Sequence, residues 1–214
     1  MNGKKIGNYS RISCKGHRVT DFCLDPVGGE LIVSMNKIKF FLQRVYRLTI
    51  SFNKQEEIVW RELKKLHADA DWKHGVYEKD KYIETVFEIN KEQVALFLYM
   101  VYDGSFHCRV KILQNYPTDV TTDLFILAAH FNNLLTNGVV VVDVNNCCVE
   151  YHQKRDLLIP LLYSGEIYDQ LIRHHRTSKD IYAAFQRLII EQEAPAIIIA
   201  DLLKQKDAKR NDEN

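Results

Sequence analysis

The run VALFLYMVYDGSFHCRVKIL, residues 94–113, decides the fold. At its centre, Asp103-Gly104 is the dipeptide preferred at the two positive-φ positions of a type I′ hairpin. A two-residue turn there pairs Tyr102 with Ser105, Val101 with Phe106, Tyr99 with Cys108, Phe97 with Val110 and Ala95 with Ile112. Strand side chains alternate with period two, so register decides which residues share a face. One face then holds Ala95, Phe97, Tyr99, Val101, Phe106, Cys108, Val110 and Ile112, a core face to be covered by helices. The other carries Leu96, Leu98, Met100 and Tyr102, beside His107, Arg109 and Lys111.

Upstream, Lys81–Ile89 alternates as a third strand and places Glu84 and Glu88 beside that same stripe. Before it, Asn53 is suited to cap a helix over Lys54–His67, with Glu56 and Glu57 in the first turn and Ile58, Val59, Leu63 and Leu66 as its buried stripe. Asp69–Gly75 breaks that period. Downstream, Leu124, Leu127, Ala128, Phe131 and Leu135 predict a helix over about Asp119–Asn137, with Gly138 in the left-handed position after it. A second hairpin follows, Val139–Val144 and Cys147–His152 about a turn at Asn145-Asn146. The remainder reads as helical: Ser164 starts one segment, Ser178 can cap another, and Pro195 kinks or restarts the helix before Ala196–Lys204.

The sequence thus predicts an α+β domain over residues 53–204, an antiparallel sheet of about five strands packed on helices in the order α-β-β-β-α-β-β-α. Residues 1–52 read as an accessory segment and residues 205–214 as a charged tail. Within the accessory segment, Pro26–Gly29 signals a turn, Glu30–Met35 suits a short strand, and Lys37–Phe52 alternates apolar and basic residues. That last stretch could lie on the main domain, or lie as a basic amphipathic helix on an anionic membrane surface.

An antiparallel sheet covered on one side is ordinarily polar on the other. Here Leu96, Leu98, Met100 and Tyr102 are bulky and apolar, and Arg109 and Lys111 edge them. Burying such side chains is worth ~1.5–3 kcal/mol each, and an open patch of that kind marks an interface. Two outcomes remain: a partner covers the stripe, or the chain's own N-terminal segment or C-terminal helix does.

The composition narrows the function. With 29 basic against 28 acidic residues the chain lacks the cationic surplus of a dedicated nucleic-acid binder. The five cysteines, Cys14, Cys23, Cys108, Cys147 and Cys148, are odd in number and form no spacing framework. With no secretory signal at Met1–Thr20, they predict a reducing, cytoplasmic setting. No stretch reaches the ~20 apolar residues of a membrane span. Cys147, Cys148 and His152 do not make a metal site, because adjacent strand residues point to opposite faces. Cys147 should face the core with Val142 and Val149, and Cys148 the outside with Asp143. His174-His175, between Arg173 and Arg176, reads as a solvated helix face or as a cationic rim. No nucleophile elbow and no phosphate-binding glycine loop occurs, so no enzyme, cofactor or metal is expected.

The helix ending Asn132-Asn133-Leu134-Leu135-Thr136-Asn137-Gly138 runs into Val139-Val140-Val141-Val142-Asp143 and then Val149-Glu150-Tyr151. With the long helix beyond, this order resembles the YbjN-like bacterial domain over roughly Asn53–Lys204, whose fold is similar to that of type III secretion chaperones. The resemblance implies a dimerising, protein-binding module without enzymatic activity. The sequence therefore predicts a chaperone- or regulator-like interaction module that binds a partner protein, or its own twin, across Leu96, Leu98, Met100, Tyr102, Arg109 and Lys111. The competing reading is a small-molecule-binding or catalytic domain, with a cavity between sheet and helices and Cys108 or His107 near its mouth.

Overall fold

A computed structural model describes residues 41–43, 45–91, 93–163 and 165–212, with side chains described as far as residue 205. Its elements are α1 (Phe52–Asp69), β1 (His74–Tyr77), β2 (Tyr82–Glu88), β3 (Val94–Tyr102), β4 (Ser105–Gln114), a 3-10 turn (Thr118–Val120), α2 (Thr121–Leu134), β5 (Val139–Asp143), β6 (Cys148–Asp156), α3 (Leu158–Leu162), α4 (Glu166–Ile190) and α5 (Pro195–Asp212). The fold is α+β. Its sheet has six strands, not five, in the order β1-β2-β3-β4-β6-β5, and every neighbouring pair is antiparallel.

The central hairpin forms in the expected register. Asp103 and Gly104 take φ values of 50° and 62°, and Tyr102↔Ser105, Val101↔Phe106, Tyr99↔Cys108 and Phe97↔Val110 are partners. All eight residues of the expected core face are buried. The hairpin tip is also anchored from outside the sheet. The Gly104 N–H donates to Glu56 Oε1 at 3.0 Å, and the Leu157 N–H donates to the Gly104 carbonyl at 3.3 Å. Glu56, expected to serve the helix dipole, holds this tip and lies 3.6 Å from Lys81 Nζ as well.

The additional strand, β1, begins in the last two residues of the stretch read as a break and runs on to Tyr77. His74–Tyr77 is too short to show alternation, but Gly75, Val76 and Tyr77 pair with Glu84, Ile83 and Tyr82. A bulge in β4 between Lys111 and Leu113 lets both Ile112 and Leu113 turn inward, where strict alternation would have sent Leu113 out. The β5–β6 register is the expected one, with Asp143 opposite Cys148. Its loop opens to Val144–Cys147 in place of a two-residue turn, because the Asp143 carboxylate accepts from the Asn146 N–H at 3.0 Å and Nδ2 at 2.7 Å. Cys147 therefore sits in the loop at φ 44° instead of in a strand.

Several helix boundaries differ from expectation. Ser51, not Asn53, stands at the N-cap of α1, without a side-chain cap bond. Residues 118–120 form a separate 3-10 turn before α2. Ser178 caps nothing: α4 runs unbroken for 25 residues, and the Ser178 hydroxyl donates to the His174 carbonyl one turn back at 2.7 Å. Pro195 does start a new helix, and its backbone continues through the expected tail to Asp212. Residues 41–43 and 45–49 are helical, and Gln55 Nε2 reaches the carbonyls of Arg47, Leu48 and Ile50 at 3.2–3.4 Å. The expected Pro26–Gly29 turn and Glu30–Met35 strand lie outside the described residues.

Helices α1, α2 and α4 pack on the inner face of the sheet, and α5 packs on α2 and α4. The helical stripe of α4 follows Leu171, His174, Ser178, Ile181, Phe185 and Leu188, all buried. At the far edge, Asn132 of α2 bonds both backbone groups of Val140 in β5: its Oδ1 accepts the N–H at 2.7 Å and its Nδ2 donates to the carbonyl at 3.0 Å.

Gly138 lies at φ +85°, and a Cβ there would sit 2.6 Å from the His152 carbonyl oxygen and from the Tyr151 ring. Both the strain and the clash fall on backbone held in a sheet. Gly138→Ala should destabilise the fold by about 2–4 kcal/mol, read as a lower urea midpoint at unchanged slope. A midpoint equal to that of the parent chain would show the contact to be slack.

Candidate functional site

Register lays out the outer face of the sheet in rows. Tyr77, Tyr82, Met100, His107 and Lys154 stand side by side across five strands. In the next row come Glu84, Leu98, Arg109, His152 and Val139. Beyond them Val86 pairs with Leu96 and Lys111 with Glu150. The six residues singled out from sequence therefore share one surface. Leu96, Leu98, Met100 and Arg109 are half-buried, Lys111 is exposed, and Tyr102 is 47% exposed.

The open apolar area is wider than the stripe. Tyr77 stacks on Tyr82 with ring centroids 4.2 Å apart, and Tyr102 stacks on His107 at the same distance. Val94 is exposed at the other end of β3. Val139 and Val141 form a second, smaller apolar strip on β5. Between the two strips runs a charged seam. Glu150 Oε2 accepts from Arg109 Nη2 at 2.6 Å and lies 2.6 Å from His152 Nε2. That nitrogen can donate to Glu150 or accept from Arg109 Nε at 3.2 Å, but not both at once. Burial acts to raise the Glu150 carboxyl, but the bonds from Arg109 and His152 outweigh it and hold the group below the ordinary carboxylate range. Tyr77 escaped the sequence reading because β1 did, whereas Tyr82 lies on the strand expected over Lys81–Ile89. The seam escaped it because the placing of β6 beside β4 is a long-range choice.

Of the two intrachain covers considered, α5 is excluded, since it packs on the opposite side with α2 and α4. The helical residues 41–43 and 45–49 leave Phe41, Leu42 and Tyr46 exposed and reach α1 through Arg47 Nη1, 3.3 Å from Glu62. Residues 1–40 and 44 lie outside the described residues.

The chemistry-bearing residues fall elsewhere. Cys108 is fully buried on the inner face, where burial pushes its thiol up. His107 is on the outer face, stacked on Tyr102. Neither lines the hollow that does lie between sheet and helices, of about 690 Å³, which is bounded by residues of α2, β6, α4 and α5. Among the described residues no group of three or more His, Cys, Asp or Glu could hold a metal ion, and no helix is long and apolar enough to cross a membrane.

His174-His175 is not a solvated face. His174 is 0% exposed and His175 is buried too, because the helical period that seats Leu171, Ile181 and Phe185 brings them inward. His174 stacks on Tyr151 at 4.9 Å and stands near Phe97 and Tyr99. His67, also fully buried, lies 5.6 Å from the Tyr99 ring. Burial holds His67 down at about 4, against the bond of its Nδ1 to the Leu63 carbonyl, and burial holds His174 at about 3.

No family model, curated protein or solved structure matches this chain.

Both histidines have folded values below the unfolded value of about 6.5. The unfolded chain therefore binds more protons, and their contribution is complete above about pH 6.5 and lost as pH falls toward 4 and 3. Each should withdraw about 2 kcal/mol between pH 7 and pH 5, read in urea unfolding at the two values. His174→Phe should remove about half of the dependence and leave the share of His67. Equal stability at pH 7 and pH 5 would contradict this account.

Proposed function

We propose that this chain is a non-enzymatic, chaperone- or regulator-like interaction module, binding a partner protein or a second copy of itself through the outer face of the sheet. The single observation that carries this reading is the apolar stripe of half-buried Leu96, Leu98 and Met100 and exposed Tyr102, on the side of an antiparallel sheet that is ordinarily polar. Apolar groups at that density are stable in water only at a cost that association removes. Arg109 and Lys111 on one flank, and Glu84 and Glu88 on the other, give the surface a charged rim. Such a rim sets orientation and partner choice more than affinity.

Leu98→Asp with Met100→Asp should weaken association about 100-fold, from the loss of ~3 kcal/mol of apolar burial. Because both positions are only half-buried in the single chain, the melting curve should stay cooperative with a modestly lowered midpoint. Light scattering over a range of concentrations, together with capture of bound protein, reads the effect. A double variant that associates and captures like the parent chain would reject the assignment of this face.

A further inference from the structure

On the outer face of the sheet, opposite charges flank one apolar strand. Glu84 of β2 and Arg109 of β4 stand in the same row, on either side of Leu98 in β3. In the chain each bonds away from the other. Glu84 accepts from the Tyr77 hydroxyl of β1 at 3.0 Å, and Arg109 Nη2 donates to Glu150 of β6 at 2.6 Å. A guanidinium has five N–H donors, so Arg109 keeps several for another acceptor. Further along the same two strands, exposed Lys111 lies level with Val86, in the interval between Glu84 and Glu88.

Such a pattern complements itself in one arrangement. Assemblies of identical chains are most often closed by a two-fold axis, which sets the same patch against itself. Two sheet faces can then meet with their strands aligned or crossed. With the axis across the strands, Glu84 faces the partner's Glu84 and Arg109 the partner's Arg109, and like charges collide. With the strands at right angles, both charges fall over the partner's apolar β3. With the axis parallel to β3 and through Leu98, β2 lies over the partner's β4. Glu84 then faces the partner's Arg109, twice per dimer, and Tyr82 faces the partner's His107. Leu96, Leu98 and Met100 each meet their own copies. Sheet twist sets aligned faces at about 30° to each other, so these central rows make the closest fit. Five strands ~4.8 Å apart and four rows ~6.8 Å apart give a face on the order of 600 Å². That is somewhat under the ~800 Å² per partner of a standard interface, which suits a dimer that exchanges.

We propose that the occupant of the outer face is a second copy of this chain, seated sheet to sheet about a two-fold axis parallel to β3, with Glu84 of each copy paired to Arg109 of the other. This rests on the interaction assigned to that face and names its partner. The two ion pairs border a strip from which water is excluded, where a mismatch of sign costs more than it does in open solvent.

Sedimentation velocity of the full chain over a wide range of concentrations tests the proposal. The parent chain should dimerise, and Glu84→Arg and Arg109→Glu should each weaken that association at least about 10-fold. Mixed in equal amounts, the two variants should form a heterodimer within about 3-fold of the parent affinity, because both contacts then join opposite charges. Should Arg109→Glu fold poorly beside Glu150, Arg109→Gln takes its place, and its mixture with Glu84→Arg should still associate more tightly than either variant alone. No recovery on mixing, in a dimer that Leu98→Asp with Met100→Asp still disrupts, would overturn this arrangement and leave the face itself as the interface. A chain that stays monomeric at every concentration would overturn the second copy as occupant but not the binding of a different protein. Association that survives the double aspartate variant would remove both this proposal and the reading beneath it.

Discussion

Two consecutive residues in the left-handed region, Asp103 and Gly104, hold β3 and β4 in a single alignment, and the two faces of the molecule follow from that alignment. A shift of one residue would exchange Phe97, Tyr99 and Val101 for Leu96, Leu98 and Met100 and put the wrong set against the helices. The turn does not act alone. Glu56 from α1 and the start of α3 both grip the Gly104 peptide, so the tip of the hairpin is tied to elements on either side of it in sequence. Local turn chemistry and long-range hydrogen bonds agree, which is the consistency expected of a sequence with one dominant fold.

Strand β6 shows how the same alignment separates two kinds of chemistry. Tyr151 and Gln153 project to the helical side, where they line the hollow. Glu150, His152 and Lys154 project to the outer side, into the charged seam. Period-two geometry lets one strand serve both surfaces without either reaching the other. The inner side is also unusual in burying imidazoles among its aromatic rings, so the core that supports the outer face is itself sensitive to acid.

The hairpin, its core face and the outer stripe were legible from sequence because they depend on turn residues and alternation, both local signals. The same holds for Gly138 and for the start of α5 at Pro195. What escaped depends on tertiary context. β1 spans four residues and has no period of its own. The insertion of β6 between β4 and β5 joins residues some 40 positions apart, such as Arg109 and His152. His174 was misread because its charged neighbours Arg173 and Arg176 outweighed a helical period that places it in line with Leu171 and Phe185. The hollow draws its lining from helices and a strand that no local pattern brings together.

The pairing of Asn132 with both backbone groups of Val140 has a bearing on how the chain meets others of its kind. β5 is a margin of the sheet made of four valines and an aspartate, the type of segment that recruits further strands into growing, sticky ladders. With a side-chain amide already seated where an incoming strand would dock, that route to polymerisation is obstructed at its middle. An incoming strand is thereby turned away from this margin by a side chain of the molecule's own helix.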